Sequence, residues 1–438
     1  MADSDTTPPN NRTFLSAAEV AERLGVKVET VYAYVSRGRL TRHQRPGQRH
    51  SEFNALEVEA LRNRRANGGG ASGGAGGGAS VAGIGARNVR GATTPASTAP
   101  EPGFVLDSAI TRIDRGQLFY RGRDACAMAR ERSFEQVAEW IWGCPSRAEW
   151  PGPITHAVPS LPGPASPGDR IRAAISYLAP LDPFRYDLRP NSVLHCAKQL
   201  IASLVAALPS VGPDPTTLAA PPGLAGDLWP RLSRRPPRPA DIDGLNTALS
   251  LLADHEMATS TLAVRVAGSV RADLHSALAA GFSAVAGPLH GRAGAQAHQL
   301  LNDIDRVDVA VAKVGEFLRD HDSLPGFGHM LYPNGDPRAG TLFDALRQST
   351  NDRVRARMHI AEHVISLTDA QRLPPPNIDF ALAAFCDAHE MITGAPEAIF
   401  SIGRSVGWVA HLLEEYEAPP LRFRVRARYV GPIADNPA

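Results

Sequence analysis

The sequence predicts a mainly α-helical protein in which a small N-terminal module is joined by a glycine-rich linker to a large helical domain. Apolar residues recur at helical spacing through most of the chain after Phe104. A run of glycines and other small residues separates that region from the first 66 residues. The composition, with 43% hydrophobic and 21% charged residues, is typical of a soluble globular protein. We therefore expect two independently folded parts.

The linker is predicted at residues 67–102, which begin NGGGASGGAGGGAS and end STAPEP. Such a segment has too little apolar surface to form a core. Its ends would lie roughly 30 Å apart as a flexible coil. The module at residues 13–66 is thus expected to move independently of the domain at residues 103–432. A proline-rich segment at residues 145–167 has helical sequence on both sides, and we expect a loop within the large domain.

Six segments of the large domain place apolar residues at i, i+3 and i+4, which predicts helices. These segments are residues 133–142, 193–208, 242–252, 272–285, 293–304 and 380–389. Clear alternation occurs at residues 421–430, LRFRVRARYV, where four arginines alternate with apolar side chains. One interpretation of that alternation is a solvated edge strand.

Composition argues against several classes of partner and site. The formal net charge of +1 gives no general preference for nucleic acid, membranes or acidic proteins. No stretch approaches the roughly 18 apolar residues of a transmembrane helix, and the polar N-terminus does not resemble a secretion signal. The four cysteines form no CxxC pair, which favours reduced thiols in a cytoplasmic protein. We predict no metal site and no bound cofactor.

The N-terminal module contains two predicted short helices. Ser16 is a good N-cap for AAEVAERL, and Glu19 completes a capping box. Gly25 ends that helix, and VETVYAYVSRG supplies a second with three valines on one side. Residues 37–50 contain five arginines and no acidic residue, and Phe53 is predicted to open a third helical stretch.

This module resembles the winged helix-turn-helix of the MerR and excisionase type over about 50 residues, with the basic loop as the wing. Thr30, Tyr32 and Tyr34 are candidates for contacts with base edges or for positioning on the backbone. Basic residues could neutralise DNA phosphates, namely Lys27, Arg37, Arg39, Arg42, Arg45 and Arg49. The alternatives are a protein-docking element and a relic without binding activity.

Four short segments of the large domain carry candidate catalytic residues. LLADHEMATST contains His255, AGPLHGRAG places His290 just before a helix, and PGFGHMLYPNGDPRA contains His329 and Arg338. PPPNIDFALAAF places Asp379 at the start of a helix. A single buried histidine is usually structural, but four such segments in this order are specific.

Together these segments resemble citrate synthase and the related 2-methylcitrate synthase, from about Phe104 to Gly431. The resemblance implies a helical large domain, with a smaller domain at about residues 291–385 inserted in it that closes on the substrates. It also implies a homodimer whose substrates are oxaloacetate and either acetyl-CoA or propionyl-CoA.

The resemblance further implies a role for each site residue. Asp379 matches the general base, His290 the acid that stabilises the enol, and His329 the group that polarises the keto acid. The oxaloacetate carboxylates would be held by His255, Arg338, Arg404 and Arg424, the last reaching into the neighbouring subunit. The arginine alternation at residues 421–430 thus has a functional interpretation beside the edge strand.

These residue types suit the chemistry. A carboxylate removes a weakly acidic methyl proton only if the developing enolate oxygen is stabilised at the same time. A histidine at a helix N-terminus favours the neutral imidazole, which donates that hydrogen bond. Arginine binds carboxylates through two parallel donors. The helix start should lower the pKa of Asp379 and weaken it as a base, unless burial offsets the effect.

Departures from the family pattern concern acyl-CoA recognition. The positions after His290 that usually carry Gly and Asn hold Arg292 and Gly294. Pro333 stands where a lysine or arginine often binds a CoA phosphate, and Val425 replaces a proline. Three functions stay open: citrate synthase, 2-methylcitrate synthase, and a DNA-binding regulator whose large domain senses oxaloacetate or acyl-CoA.

Overall fold

The computed structural model describes residues 14–36, 40, 51–54, 58, 105–144, 150–154, 161–213, 223–287, 290–291, 293–321, 323–424 and 429. The chain divides into two compact units, Met1–Val105 and Leu106–Ala438, and we describe each by itself. The predicted linker, most of the predicted wing and the segments 145–149, 155–160 and 425–428 lie outside the described residues.

The first unit contains strand β1 (Phe14–Ser16), helix α1 (Ala17–Leu24), helix α2 (Val28–Ser36) and strand β2 (Glu52–Asn54). The predicted capping box is present, because Ser16 Oγ accepts from Glu19 N at 3.3 Å and Ser16 N donates to the Glu19 carboxylate at 2.7 Å. Gly25 ends α1 with φ +62°, a left-handed conformation that glycine adopts without strain. Both predicted helices of the module are confirmed.

The prediction that Phe53 opens a third helical stretch is wrong. Phe53 lies in β2, opposite Leu15 of the antiparallel strand β1. Its side chain is fully buried in a small core that also contains Val20 and Val31. The strand partner lies almost 40 residues earlier in the chain, and local apolar spacing does not report such a partner.

The second unit begins with a three-stranded antiparallel sheet in the order β3 (Thr111–Asp114), β4 (Gln117–Tyr120) and β5 (Arg123–Asp124). Its helices, α3 to α16 in chain order, are Ala125–Glu131, Phe134–Trp142, Pro167–Leu178, Pro190–Ala206, Leu224–Leu232, Pro239–Leu252, Thr259–Ser269, Leu274–Val285, Ala293–Asn302, Val307–Asp320, Pro337–Arg347, Asp352–Ala370, Ile378–Ala388 and Ala395–Glu417. A short 3-10 turn, Ala179–Leu181, follows α5. All six predicted helical segments are confirmed as α4, α6, α8, α10, α11 and α15. None of the helices in the described part of the chain is long and apolar enough to cross a membrane.

The C-terminal alternation does not begin as a strand. Residues 421–423 form a turn, in which Leu421 has φ +60° and its N–H donates to Ser269 O at 2.9 Å. Arg422 bonds Glu415 of α16 instead of lying on an exposed strand face. The edge-strand interpretation is therefore wrong for these residues, because tertiary hydrogen bonds to α9 and α16 replace strand pairing.

Helix α16 lies at the centre of the large unit and is buried along most of its length. It packs against α4, α5, α6, α8, α9, α10, α11 and α15. Helix α15, which carries Asp379, lies between α11 and α13. The segments that contain the four predicted motifs are thereby brought to the same part of the bundle.

Candidate active site

The GFGH loop is paired with the segment that leads into α15. Gly328 N donates to Pro375 O, and Asn377 N donates to Gly326 O, both at 2.8 Å. The side chain of Asn377 adds a third hydrogen bond, from Nδ2 to Gly328 O at 2.8 Å. Since Asn377 also N-caps α15, the loop and the helix start form one hydrogen-bonded unit.

Gly326 allows the loop to approach the helix this closely. Its φ is +80°, and a β-carbon at this position would lie 2.6 Å from Phe380 N. A larger residue would meet both backbone strain and a steric clash. His329 and Asp379 thus owe their relative placement to a contact that only glycine permits.

His255, His329 and Tyr332 form a cluster of rings. The His255 centroid lies 5.1 Å from that of His329 and 5.5 Å from that of Tyr332, both edge-on. His255 Nε2 lies 3.0 Å from the Tyr332 hydroxyl. His255 comes from the loop between α8 and α9, so the cluster joins two distant parts of the sequence.

The hydrogen bonding of His329 defines its tautomer. Leu331 N lies 3.1 Å from His329 Nδ1, and a backbone N–H can only donate. Nδ1 is therefore the acceptor, and the neutral ring carries its proton on Nε2. Burial, helped by the positive charge of Arg338, lowers the pKa of His329, which favours this neutral form. His329 can therefore present an N–H donor to a carbonyl oxygen.

Arg338 is held by the acid two residues before it. Its Nε and Nη2 donate to Asp336 Oδ1 and Oδ2 at 3.0 and 2.8 Å, and its side chain is 2% exposed. Asp336 Oδ2 also accepts from Ile378 N at 3.0 Å. The pair occupies part of the guanidinium and fixes its direction, which leaves Nη1 as the donor group outside the bidentate contact.

Arg404 is equally buried but is not paired with an acid. Its Nε donates to Leu252 O at 2.8 Å, and its guanidinium lies 4.8 Å from the centre of the Phe400 ring. In the described part of the chain no carboxylate oxygen lies within 4.0 Å of this group. Burial lowers the pKa of Arg404, although Asp254 opposes the shift. A buried arginine without a bonded counter-ion suits an anionic ligand.

The pKa of Asp379 is unusual for a carboxylate in the first turn of a helix. Burial raises its pKa to about 6, although the charges of Arg338 and Arg404 oppose the shift. The pKa decrease expected from the helix start is thus outweighed by loss of water. The start of α11 lies beside this group, because a β-carbon at Gly294 would be 3.8 Å from Asp379 Oδ1.

His290 lies three residues before the start of α11 at Ala293. Its Nε2 is 2.9 Å from Ser260 Oγ, and its ring packs edge-on against Phe400 at 5.7 Å. Burial, and to a lesser extent Arg404, lowers the pKa of His290 to about 4. The ring is therefore neutral at pH 7, as the sequence predicted, but burial is the cause.

The structure brings six of the seven predicted residues together through ring contacts or charge interactions. Arg424 is the exception: it is exposed and has no ion pair with the other described residues of this single chain. Of the predicted DNA contacts, Lys27 is exposed and Thr30 is half-buried at the start of α2. The arginines at 37, 39, 42, 45 and 49 lie outside the described residues.

Sequence reasoning missed four groups that position the site: Tyr332, Asp336, Asn377 and Ser260. The first three lie inside motifs that were recognised, so their proximity to a predicted residue was visible. Ser260 also lies inside a recognised motif, the first one. Its contact is with His290, 30 residues away, and no sequence pattern indicates that contact.

A cavity of about 340 Å³ lies between α8, α13 and α15, but none of the seven predicted residues lines it. The candidate site is recognised by convergent polar groups and shifted pKa values instead. Within the described residues, no three His, Cys, Asp or Glu side chains are grouped to hold a metal ion.

Comparison with known proteins adds a family to this geometry. Residues 102–426 match the family model described as citrate synthase, C-terminal domain. The chain belongs to the citrate synthase family. Residues 14–65 match a second model, described as helix-turn-helix domain.

Several relatives span most of the large unit. Citrate synthase 2 of Bacillus subtilis is 28% identical over 351 residues, covering 74% of this chain and 93% of that protein. The 2-methylcitrate synthase 1 of Corynebacterium glutamicum is 27% identical over 349 residues, covering 72% and 90%. Citrate synthase from Thermoplasma acidophilum, solved as a ternary complex with carboxymethyl coenzyme A and oxaloacetate, shares the fold with a TM-score of 0.63 at 23% identity. That match covers 77% of this chain and 96% of that one.

The raised pKa of Asp379 predicts a pH-dependent stability. The folded pKa of about 6 exceeds the ordinary 3.8, so the folded state binds more protons between these values. Wild type should lose stability relative to Asp379→Asn as pH rises from about 4 to about 6, by up to about 3 kcal/mol. Urea unfolding of both proteins at several pH values measures the difference.

The matched control is Asp305→Asn, which removes one carboxylate from an exposed position. Its stability difference from wild type should stay nearly constant over the same range. A flat difference for Asp379→Asn as well would show that the carboxylate is not strongly desolvated.

Proposed function

We propose that this protein condenses acetyl-CoA with oxaloacetate to form citrate and free CoA. This proposal rests mainly on Asp379, a carboxylate whose pKa is raised to about 6. The same site contains neutral His290, Arg338 and Arg404. Its pKa is near neutrality, where a general base is both ionised and strong enough to act. The large unit belongs to a family in which this chemistry is expected of these residues.

In the proposed reaction, Asp379 removes a proton from the methyl group of acetyl-CoA. His290 donates a hydrogen bond to the thioester oxygen as negative charge develops on it. The resulting enol carbon attacks the keto carbon of oxaloacetate, whose oxygen receives the Nε2 proton or hydrogen bond of His329. Water then cleaves the citryl thioester, which releases citrate and CoA.

Oxaloacetate carboxylates would be held by His255, Arg338 and Arg404. Arg404 offers a buried positive charge without a bonded acid, and Arg338 offers its Nη1 donor group. Burial and the nearby arginines lower the pKa of His255, so it would act as a neutral hydrogen-bonding partner. Tyr332 fixes the His255 ring through its hydroxyl.

We also propose a homodimer in which Arg424 completes the site of the partner subunit. Arg424 is exposed and without an acidic partner in the described single chain. Four apolar side chains between residues 177 and 186 are exposed by 37–79% of their surface, namely Tyr177, Leu181, Phe184 and Tyr186. Such a group marks a surface that a second protein copy could cover. In the proposed domain arrangement, residues 291–385 form the smaller domain that closes over the substrates.

The acyl donor has a second candidate, propionyl-CoA, because relatives of both kinds are similar to this chain. One methylene group contributes only about 1–3 kcal/mol to discrimination. The segment 330–335 between His329 and Asp336, MLYPNG, contains no lysine or arginine, and Met330 is 91% exposed. Recognition of the nucleotide end of CoA would therefore involve other residues.

A second function is favoured by the N-terminal helix-turn-helix unit. We propose that this unit binds DNA through α2 and the basic segment 37–50, with the large unit as enzyme or as sensor of its substrates. Lys27 is exposed and Thr30 half-buried at the start of α2, where a recognition helix presents its first residues. Cytoplasmic location, expected from the cysteine pattern, is part of the same proposal.

Turnover tests the condensing activity. Wild type should release free thiol from acetyl-CoA only when oxaloacetate is present. Asp379→Ala should lower kcat by about 10²- to 10⁴-fold, the usual contribution of a general base, whereas Asp305→Asn should not. The ratio of rates with acetyl-CoA and propionyl-CoA identifies the preferred donor. Absence of turnover with both, in folded protein that binds oxaloacetate, would favour a ligand-sensing regulator.

Mixing two inactive variants tests the shared site. Arg424→Ala and Asp379→Ala should each have low activity as homodimers. If Arg424 acts in the partner's site, mixed dimers contain one intact site, and random exchange restores about 25% of wild-type activity. No recovery, with exchange verified by mass spectrometry, would place Arg424 in its own subunit's site or outside the site.

DNA binding is tested by gel retardation at several salt concentrations. We expect a salt-sensitive shift that is lost when Arg37, Arg39 and Arg42 become alanine, because fewer phosphates are then neutralised. The control replaces three exposed arginines of the large unit, Arg112, Arg306 and Arg355, by alanine. Absence of any salt-sensitive affinity in wild type would contradict the proposal.

A further inference from the structure

A fully buried carboxylate lies directly before His255 in the sequence. Asp254 Oδ2 accepts a hydrogen bond from Thr111 Oγ at 2.5 Å and lies 3.3 Å from His411 Nε2. Gly407 of α16 allows the approach, since a β-carbon there would lie 2.2 Å from Asp254 Oδ1. This acid is therefore enclosed between β3 and α16, next to the proposed oxaloacetate site.

The second ring nitrogen of His411 determines the tautomer. His411 Nδ1 lies 3.0 Å from Arg265 Nη1, and a guanidinium can only donate. Nδ1 is therefore the acceptor, and the proton of the neutral ring lies on Nε2. His411 consequently donates to Asp254 Oδ2, so that two donors are directed at this one oxygen.

Arg265 is itself held by two glutamates of α16. Its Nη1 donates to Glu414 at 2.8 Å, and its Nε donates to Glu415 at 3.1 Å. Glu415 also binds Arg422, whose Nε donates to it at 2.7 Å. Because Arg265 is fixed by two acids, it cannot turn away from His411, and the direction of the His411 donor is preserved.

The negative charge of Asp254 acts on Arg404. Asp254 is the largest of the nearby charges that stabilise the Arg404 cation, and Arg404 Nε donates to Leu252 O, two residues before Asp254. Asp254 Oδ1 has no hydrogen-bond partner among the described residues. Asp254 and a substrate carboxylate would therefore compete for the same guanidinium.

We propose that His411 is a positioning residue for Arg404: together with Thr111 it holds Asp254 by Oδ2, so that Asp254 stabilises the Arg404 charge without binding its guanidinium. The inference rests on the proposed function, in which Arg404 binds an oxaloacetate carboxylate. His411 acts through Asp254 and does not touch the substrate. Loss of its donor frees Asp254 to pair with Arg404, and oxaloacetate then binds more weakly.

Two substitutions of His411 separate positioning from packing. In His411→Gln the amide reaches the place of Nε2 and still donates to Asp254. In His411→Asn the shorter side chain reaches only the place of Nδ1, so the donor to Asp254 is lost. We expect His411→Asn to raise the KM and the calorimetric Kd for oxaloacetate about tenfold, the loss of one hydrogen bond to a charged group, with kcat changed by less than about twofold. His411→Gln should remain close to wild type.

Thr111→Val removes the other donor to the same oxygen with almost no change in shape, and it should raise the KM for oxaloacetate in the same direction. The matched control is His389→Asn, which alters a buried histidine 3.3 Å from the carboxylate of Asp241, outside this network. It should leave the KM for oxaloacetate unchanged. The KM for acetyl-CoA should not change in any of these variants.

The outcomes are distinguishable. If wild type turns over, and both His411→Asn and Thr111→Val keep the wild-type KM and Kd for oxaloacetate, the positioning role is overturned while the proposed function stands. Equal losses in His411→Asn and His411→Gln would likewise overturn it, since packing alone would explain them. Should His411→Asn not fold, the KM of Thr111→Val decides. Wild type that neither turns over nor binds oxaloacetate would overturn both proposals.

Discussion

The carboxylate of Asp336 joins two helices of the candidate site. It caps the N-terminus of α13, binds the guanidinium of Arg338 through two parallel hydrogen bonds, and accepts the N–H of Ile378 at the start of α15. Arg338 would otherwise be a buried charge without a partner, which costs several kcal/mol. Asp379 follows Ile378 directly, so the same acid places a proposed substrate-binding arginine beside the proposed base.

Burial then has opposite effects on the two kinds of titratable group. Loss of water disfavours the charged form, so it raises the pKa of Asp379 to about 6 and lowers that of His290 to about 4. The charges of Arg338 and Arg404 oppose the rise in the pKa of Asp379, whereas Arg404 adds to the decrease in the pKa of His290. Near neutral pH the site therefore contains a carboxylate of increased basicity and a neutral imidazole, which is the combination that enolisation of a thioester requires.

Positive charge in the site is held in two different ways. Arg338 is bound by its own acid, whereas Arg404 feels the charge of Asp254 without a hydrogen bond to it. The buried groups around Asp254 extend through His411 and Arg265 to Glu415 and Arg422, two residues before Arg424. This network thus begins beside Arg404 of one proposed site and ends at Arg422, close in sequence to Arg424, which is proposed to act in the site of the partner subunit.

Much of the architecture was readable from the sequence because its determinants are local. Helical spacing, the capping box at Ser16 and the end of the helix at Gly25 each involve a few consecutive residues, and all were confirmed. The motifs around His255, His290, His329 and Asp379 identified the family for the same reason. Phe53 and Leu421 were misread because a distant strand and distant helices, respectively, determine their conformations.

The interactions among these groups depend on how the folded chain packs. The sequence suggested that a helix terminus keeps His290 neutral and weakens Asp379, but the enclosed site makes burial the larger cause for both. It could not show that Ser260 meets His290, or that Asp254 and His411, 157 residues apart, share a hydrogen bond. Local sequence patterns were enough to predict these helices, the motifs and the kinds of reactive group. Desolvation and contacts between distant segments, which arise only when the chain is packed, decided their protonation states and partners.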